Sequence, residues 1–508
     1  MPATKDGYTW TPAHGTEPGG LTTVGVVTPL TNLDGTPRQI YDAVVIGAGY
    51  AGLRAGRDLV QSGHSVIMLE ARDRVGGRTY TVESNGFMWE MGGTWVTHEM
   101  GYLFQELTRY GLDRDLLITH QSGSKNDYYT LNVPGATPRR MSHEEAMKIM
   151  LGAWDKFVNV DGNNCRDICP LPHAQLDNIS VKRGDVERVD RLSCKDRLEQ
   201  IKADLSVEET GMLIGILLHI SGGTLENSSF WDMVRSHALM SWSSVNFGPI
   251  WTTYKLRKGQ SHFAKSMFNE AVELGLDYSF ETEVKSIKED NPSGGFFVTV
   301  TTASGQAFRA RYVVSTIPLN VLHTIQFNPP LSPLRQEAIN IGHVNMMNKI
   351  HAEVSGSDLM SWNGMKLDNH IMFGYGDGVL DNGNAHIVGF GTDVRNEFIA
   401  ERDPEKVEAA FKNLHPMEIK RTMFHDWVTD KYSRGGPAWW RPGYMSKYQD
   451  ELQKRHHSVY FASADWAHGW RAAIDGALEQ GSLAALGITR SLRSRNKKVP
   501  GTQLKANL

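Results

Sequence analysis

Residues 41–52 read Tyr-Asp-Ala-Val-Val-Ile-Gly-Ala-Gly-Tyr-Ala-Gly: a short apolar strand, a glycine-rich turn, and the start of an Ala/Leu/Arg helical pattern. A second apolar strand, Ser65 to Leu69, ends at Glu70, 18 residues beyond Gly52. Strand, helix and strand make a βαβ unit. Gly47, Gly49 and Gly52 form a GxGxxG. Its first glycine permits the tight turn, its second lets backbone approach a pyrophosphate, and its third allows close helix–strand packing. Phosphate then sits at the helix N-terminus, where free N–H groups and the dipole favour an anion. Glu70 is placed to accept hydrogen bonds from a ribose.

The motif alone does not separate one dinucleotide from another. Its continuation, Glu70-Ala-Arg-Asp-Arg-Val-Gly-Gly-Arg78, sets a Gly76-Gly77 turn beside Arg72, Arg74 and Arg78, a set able to face a pyrophosphate. Further on, Tyr278 to Lys288 and Phe296 to Thr302 read as strands of a meander joined by a turn at Asn291 to Gly295. Arg311 to Ile317 reads as a buried strand stopped by Pro318, Ser458 to Ala462 as another, and Ile474 to Arg490 as an Ala/Leu/Gly-rich helix.

The expected organisation is α/β: a Rossmann-like dinucleotide-binding domain from residues 40–98, 255–318 and 457–490, interleaved with an α+β substrate domain from 99–254 and 319–456. Residues 1–39 read as a polar N-terminal arm and 491–508 as a basic, poorly ordered tail.

A chain of 508 residues with net charge -4 offers no electrostatic reason to expect nucleic acid as partner. The apolar run Met212 to Ile220 is far shorter than the roughly 20 residues a spanning helix needs, and no basic n-region opens the chain. The sparse cysteines, Cys165, Cys169 and Cys194, support neither a disulfide framework nor a zinc site. A small molecule is the default partner.

The ordered motifs resemble the flavin-containing amine oxidases, most closely the soluble fungal monoamine oxidases, over nearly the whole chain. Besides residues 41–52 and 70–78 they include Glu90-Met-Gly-Gly-Thr-Trp-Val96, Ser221-Gly-Gly-Thr-Leu-Glu-Asn-Ser-Ser-Phe230, Ser315-Thr-Ile-Pro-Leu-Asn320 and Ala464-Asp-Trp-Ala-His-Gly-Trp470 followed by Ile474-Asp-Gly-Ala477. The resemblance implies a glutathione-reductase-type FAD domain. It implies FAD contacts from Gly47, Gly49, Gly52, Glu70, Arg72 and Arg78, from Gly93, Thr94 and Trp95 beside the ring system, and from Val284, Trp427, Asp465 and Ile474. It also implies amine oxidation by hydride transfer to the flavin, with O2 reduced to hydrogen peroxide, and a homodimer is compatible with it.

Lys349 stands at the position of the family lysine that assists reaction with oxygen. The stretch Tyr432 to Gly443, where the animal enzymes attach FAD to cysteine, has none, so FAD is expected to be noncovalent. Of the two aromatic residues that flank the substrate nitrogen in the family, one position falls on Ala473 and the other on Pro437 or near Trp439. With His219, Gly248 and Thr252 as wall residues, this predicts a roomier pocket. The alternative to a simple amine oxidase is a flavin oxidase or dehydrogenase of a bulky, alkaloid-like metabolite. Lys505-Ala-Asn-Leu508 is a variant of the peroxisomal Ser-Lys-Leu address; a cytoplasmic location is the other expectation.

Overall fold

Tyr41–Ile46 is buried almost from end to end because strands pair with both its edges and helices cover its faces. Val66–Leu69 and Ala307–Ser315 flank it, both parallel to it. The computed structural model describes residues 1–34, 38–119, 122–173, 181–289, 297–392 and 398–497. Among these, the sheet has eight strands, running Asp277–Ser279, Val66–Leu69, Tyr41–Ile46, Ala307–Ser315, Val298–Thr302, Val284–Glu289 and Gln326–Asn328, with Val459–Phe461 also paired to Ala307–Ser315. The core is parallel, and an antiparallel meander extends one side. Helix Tyr50–Gln61 follows the glycine turn and packs beside Ile474–Lys497.

A second sheet of nine strands is centred on Met347–Val354, which pairs antiparallel with Ala385–Thr392 and Ile419–Phe424. Helices His143–Val158, Val207–Ser221 and Phe230–Leu239 accompany this half. Ser206 and Glu209 form a capping box that fixes where Val207–Ser221 begins, and Gly222, left-handed at φ 62°, ends it. The fold is therefore the expected α/β combination of a Rossmann-like half and an α+β half.

Three local readings differ. Tyr278 to Lys288 is two strands: Asp277–Ser279 continues the parallel sheet beside Val66–Leu69, and Val284–Glu289 joins the meander. The chain must break between them to change partners, which a largely alternating apolar–polar pattern running through both does not reveal. The turn at Asn291 to Gly295 lies outside the described residues. Helix Ile474–Lys497 runs past Arg490, because Leu492 is buried and the Ser491 hydroxyl meets that of Tyr460.

The N-terminal residues are more than an arm on the surface. Tyr8–Thr11 and Gly15–Pro18 form the edge of the nine-stranded sheet, with Trp10 in its core. Asp6 pairs with both Arg72 and Arg74. Polar composition concealed this, because the segment is held by pairing with residues far away in sequence.

Candidate active site

The N-terminus of helix Tyr50–Gln61 opens on a cavity of about 1100 Å3 that reaches from the eight-stranded sheet to the aromatic face of the nine-stranded one. Gly47, Gly49, Gly76 and Gly77 line its first part. A Cβ on Gly77, which has φ +60°, would lie 3.3 Å from the Gly49 Cα, so two glycine turns meet here with bare backbone. Such a seam suits a pyrophosphate. The buried Glu70 carboxylate accepts the Ala48 N–H at 2.6 Å and the Arg72 N–H at 2.9 Å, which places it at the mouth of the turn. Val284 lines the same end. The cavity exceeds the needs of a small amine and continues past this cradle. The residues present therefore fit an extended flavin dinucleotide.

Gly52 does not line the cavity. Its missing side chain makes room for the Gly47 carbonyl oxygen, 1.9 Å from where a Cβ would stand, so it contributes helix–strand packing. Arg72 and Arg78 face the cavity and Arg74 does not. Arg74 is wholly buried, paired with Asp6 and stacked over Tyr80 at 3.9 Å. Arg72 is held between Asp6 and Asp430, whose carboxyl it keeps ionised against the cost of burial. Asp6, His425 and Asp430 lie close enough to hold a cation, but the two guanidinium groups already neutralise those carboxylates. Asp465 is also withdrawn from the cavity: it accepts from Arg78 and from the Leu319 N–H, fixing the arginine that does face inward.

Beyond the cradle the walls are Gly93, Thr94, Trp95, Trp427 and the start of helix Ile474–Lys497. The Trp427 indole donates to the Met91 carbonyl at 2.8 Å, which locks its ring over the Gly92 turn. Lys349 enters from strand Met347–Val354, where every residue is buried because both faces are covered. Its ammonium donates to Thr94 Oγ1 at 2.6 Å and to the Gly92 carbonyl at 3.1 Å. Burial pulls its pKa down to about 8, opposed by Glu90 and Asp377. Burial raises Glu90 to about 7, opposed first by the Gln260 N–H and then by Lys349.

His219, Gly248, Thr252, Pro437, Trp439 and Ala473 all line the cavity, so both alternatives for the second nitrogen-flanking position border the same space. Ala473 follows Ala472, a non-glycine residue at φ 73°, and this turn directs the start of the last helix inward.

Sequence reading missed the opposite wall. Phe373, Tyr375 and Phe390 join Trp95 in stacked and tilted contacts, with ring centroids 6.1–6.5 Å apart and interplanar angles of 18–40°. A signal was present in Phe373-Gly-Tyr375-Gly-Asp377-Gly, where period-two alternation puts the large residues on one strand face. Also missed was a buried polar chain in which Lys255 pairs with Asp377, Asp377 with His386, and His386 with His351, which meets the Glu90 carbonyl.

Comparison with known proteins places the chain among proteins of similar sequence and fold. The chain is 29% identical over 460 residues to pseudooxynicotine dehydrogenase of a Pseudomonas species, covering 90% of this chain and 88% of that protein. It is 24% identical over 481 residues to bovine flavin-containing amine oxidase B, covering 89% and 86%. The structure of putrescine oxidase bound to putrescine superposes with a TM-score of 0.70 at 21% identity, covering 89% of this chain and 100% of the other. Residues 50–489 match the family model for flavin containing amine oxidoreductases, and the chain belongs to that family.

Proposed function

We propose that the protein is an FAD-dependent amine oxidase that converts an amine to an imine, with O2 as electron acceptor and hydrogen peroxide as product. The observation that carries this reading is the position of Lys349, buried, lining the same cavity as the glycine cradle, beside a wall of four aromatic rings. Gly47, Gly49, Glu70, Arg72, Arg78 and Val284 would hold the dinucleotide, and Gly93, Thr94, Trp95, Trp427 and Ile474 the ring system. Bound flavin supplies hydride acceptance and electron transfer. No cysteine lines the cavity among the described residues, in support of a noncovalent cofactor.

The chain's own groups act on protonation and placement. An apolar, aromatic pocket disfavours an ammonium, so the substrate is held as the neutral amine that can release hydride. The Lys349 ammonium has three protons. Two are engaged by Thr94 and Gly92, which leaves one for a group bound in the cavity that Lys349 lines. A single positive charge held there favours negative charge developing on reduced oxygen.

A second reading, oxidation of a bulky alkaloid-like amine, gains from Ala473 and Pro437 bordering the cavity without an aromatic ring. A dehydrogenase named for pseudooxynicotine among the relatives is in line with it. The test is anaerobic mixing of the flavin-loaded protein with small and multi-ring amines, followed by peroxide measurement in air. Bleaching of the flavin with stoichiometric peroxide supports the oxidase. Bleaching without peroxide points to a dehydrogenase, and no bleaching by any amine removes both readings. The peroxisomal reading rests on Lys505-Ala-Asn-Leu508, outside the described residues; a reporter ending in that tetrapeptide tests it, and a diffuse signal counts against it.

A further inference from the structure

His219 lies in the last turn of helix Val207–Ser221, its ring set edge-on against Phe373 at 5.1 Å and Phe390 at 4.7 Å. Among the described residues its Nδ1 is sealed in protein without a hydrogen-bond partner, while the residue itself borders the cavity. Burial holds the imidazole pKa near 4, so the ring is neutral at physiological pH, with one donor and one acceptor nitrogen. A phenyl ring would fill this place without an unsatisfied polar atom.

The neighbouring polar side chains are already engaged. The Asn345 amide donates to the Ser221 carbonyl and accepts the Met347 N–H. The Ser236 hydroxyl donates to Asp232, and the Trp95 indole to Thr119. His219 is thus a cavity-lining hydrogen-bonding residue whose buried Nδ1 has no partner among the described residues. Lys349 lies against the same Phe390 ring, its Nζ 5.8 Å from the centroid. His219 and the Lys349 ammonium are thus separated by no more than one ring and its two contacts. Phe373 and Tyr375 lie within 26° of parallel to Phe390, forming a flat surface suited to an arene.

We propose that His219 is a specificity-determining residue, selecting amines whose aromatic end carries a hydrogen-bonding heteroatom: a hydroxyl, a carbonyl or a ring nitrogen. This rests on the amine-oxidation reading and names the substrate class for that site. The probe is a pair of equal shape, a naphthylethylamine and its quinolinyl counterpart, with a hydroxynaphthyl analogue as third member. Dissociation constants are read from perturbation of the bound flavin's absorbance, and anaerobic flavin reduction is followed separately.

The wild-type holoprotein is expected to bind the heteroatom-bearing amines about tenfold or more tighter than the naphthyl parent. His219→Phe should bring the three within about twofold of one another, by weakening the heteroatom-bearing amines and not the parent. His219→Gln, which keeps a donor and an acceptor, should retain part of the preference, and it serves if the phenylalanine variant does not fold. Equal binding of all three by wild type, or a preference that survives His219→Phe, overturns the proposal. If the preference holds in binding while no amine reduces the flavin, the oxidation reading fails and the recognition role of His219 stands.

Discussion

Replacing Lys349 with methionine removes a buried ammonium at little structural cost, because its two acceptors can satisfy each other. The Thr94 hydroxyl already donates to the Gly92 carbonyl at 3.0 Å, so neither is stranded when Nζ goes. The fall of the lysine pKa from 10.5 to about 8 is on the order of 3 kcal/mol of penalty against the charged form. Methionine does not bear it. Thermal stability at pH 7 should therefore be unchanged or slightly raised. Removal of one preorganised positive donor typically costs on the order of 10²–10³ in rate where negative charge develops. Reoxidation of the reduced flavin by O2 should slow by about that factor, while anaerobic reduction by amine changes much less. The pH dependence has a definite sign. The ammonium is present below about 8, so wild-type reoxidation should decline as pH rises through that value, and Lys349→Met should be flat. Because the folded value lies below the unfolded one, stability from this group rises between about pH 8 and 10.5, and the variant lacks that rise. Glu90, Asp377, Lys255, His351 and His386 share the environment, and Lys349→Arg, which keeps the charge, controls for them. Stopped-flow measurement of the two half-reactions decides the matter. Equal slowing of both, or an unchanged oxidative half-reaction, refutes the assignment.

Gly52→Ala places a Cβ 1.9 Å from the Gly47 oxygen, and the turn must shift to admit it. Calorimetry should show a loss of a few kcal/mol, and a variant as stable as wild type would contradict the packing role. Ala473→Phe should raise kcat/KM for benzylamine-sized amines and lower it for multi-ring ones; no change in either places Ala473 outside the space the substrate uses. Acid precipitation of the holoprotein should leave all the yellow colour in the supernatant, and flavin retained on the pellet would mean covalent attachment.

The dinucleotide half was legible because its instructions are local. Residues 41–70 contain strand, turn, helix, strand and acid in one run, and each glycine answers a backbone requirement met within a few residues of itself. Gly52 could even be assigned to packing from its place in the motif. The roles of Arg72, Arg74 and Arg78 could not be separated in this way, since three arginines in nine residues look alike until the chain brings Asp6 and Asp430 to two of them and Asp465 to the third. The N-terminal strands were hidden for the same reason: Tyr8–Thr11, which joins their hairpin to the sheet, pairs with Ile419–Phe424 far away in sequence, and pairing leaves no periodic mark in a short polar stretch. Family resemblance indicated Lys349, but its depressed pKa is a property of burial, which the tertiary structure alone supplies. The aromatic wall and the unpartnered Nδ1 of His219 depend most on folding. They arise where a helix ending at Ser221 meets strands at Phe373 and Phe390, and a sequence does not state which polar atoms will be left without a partner when distant segments close on one cavity.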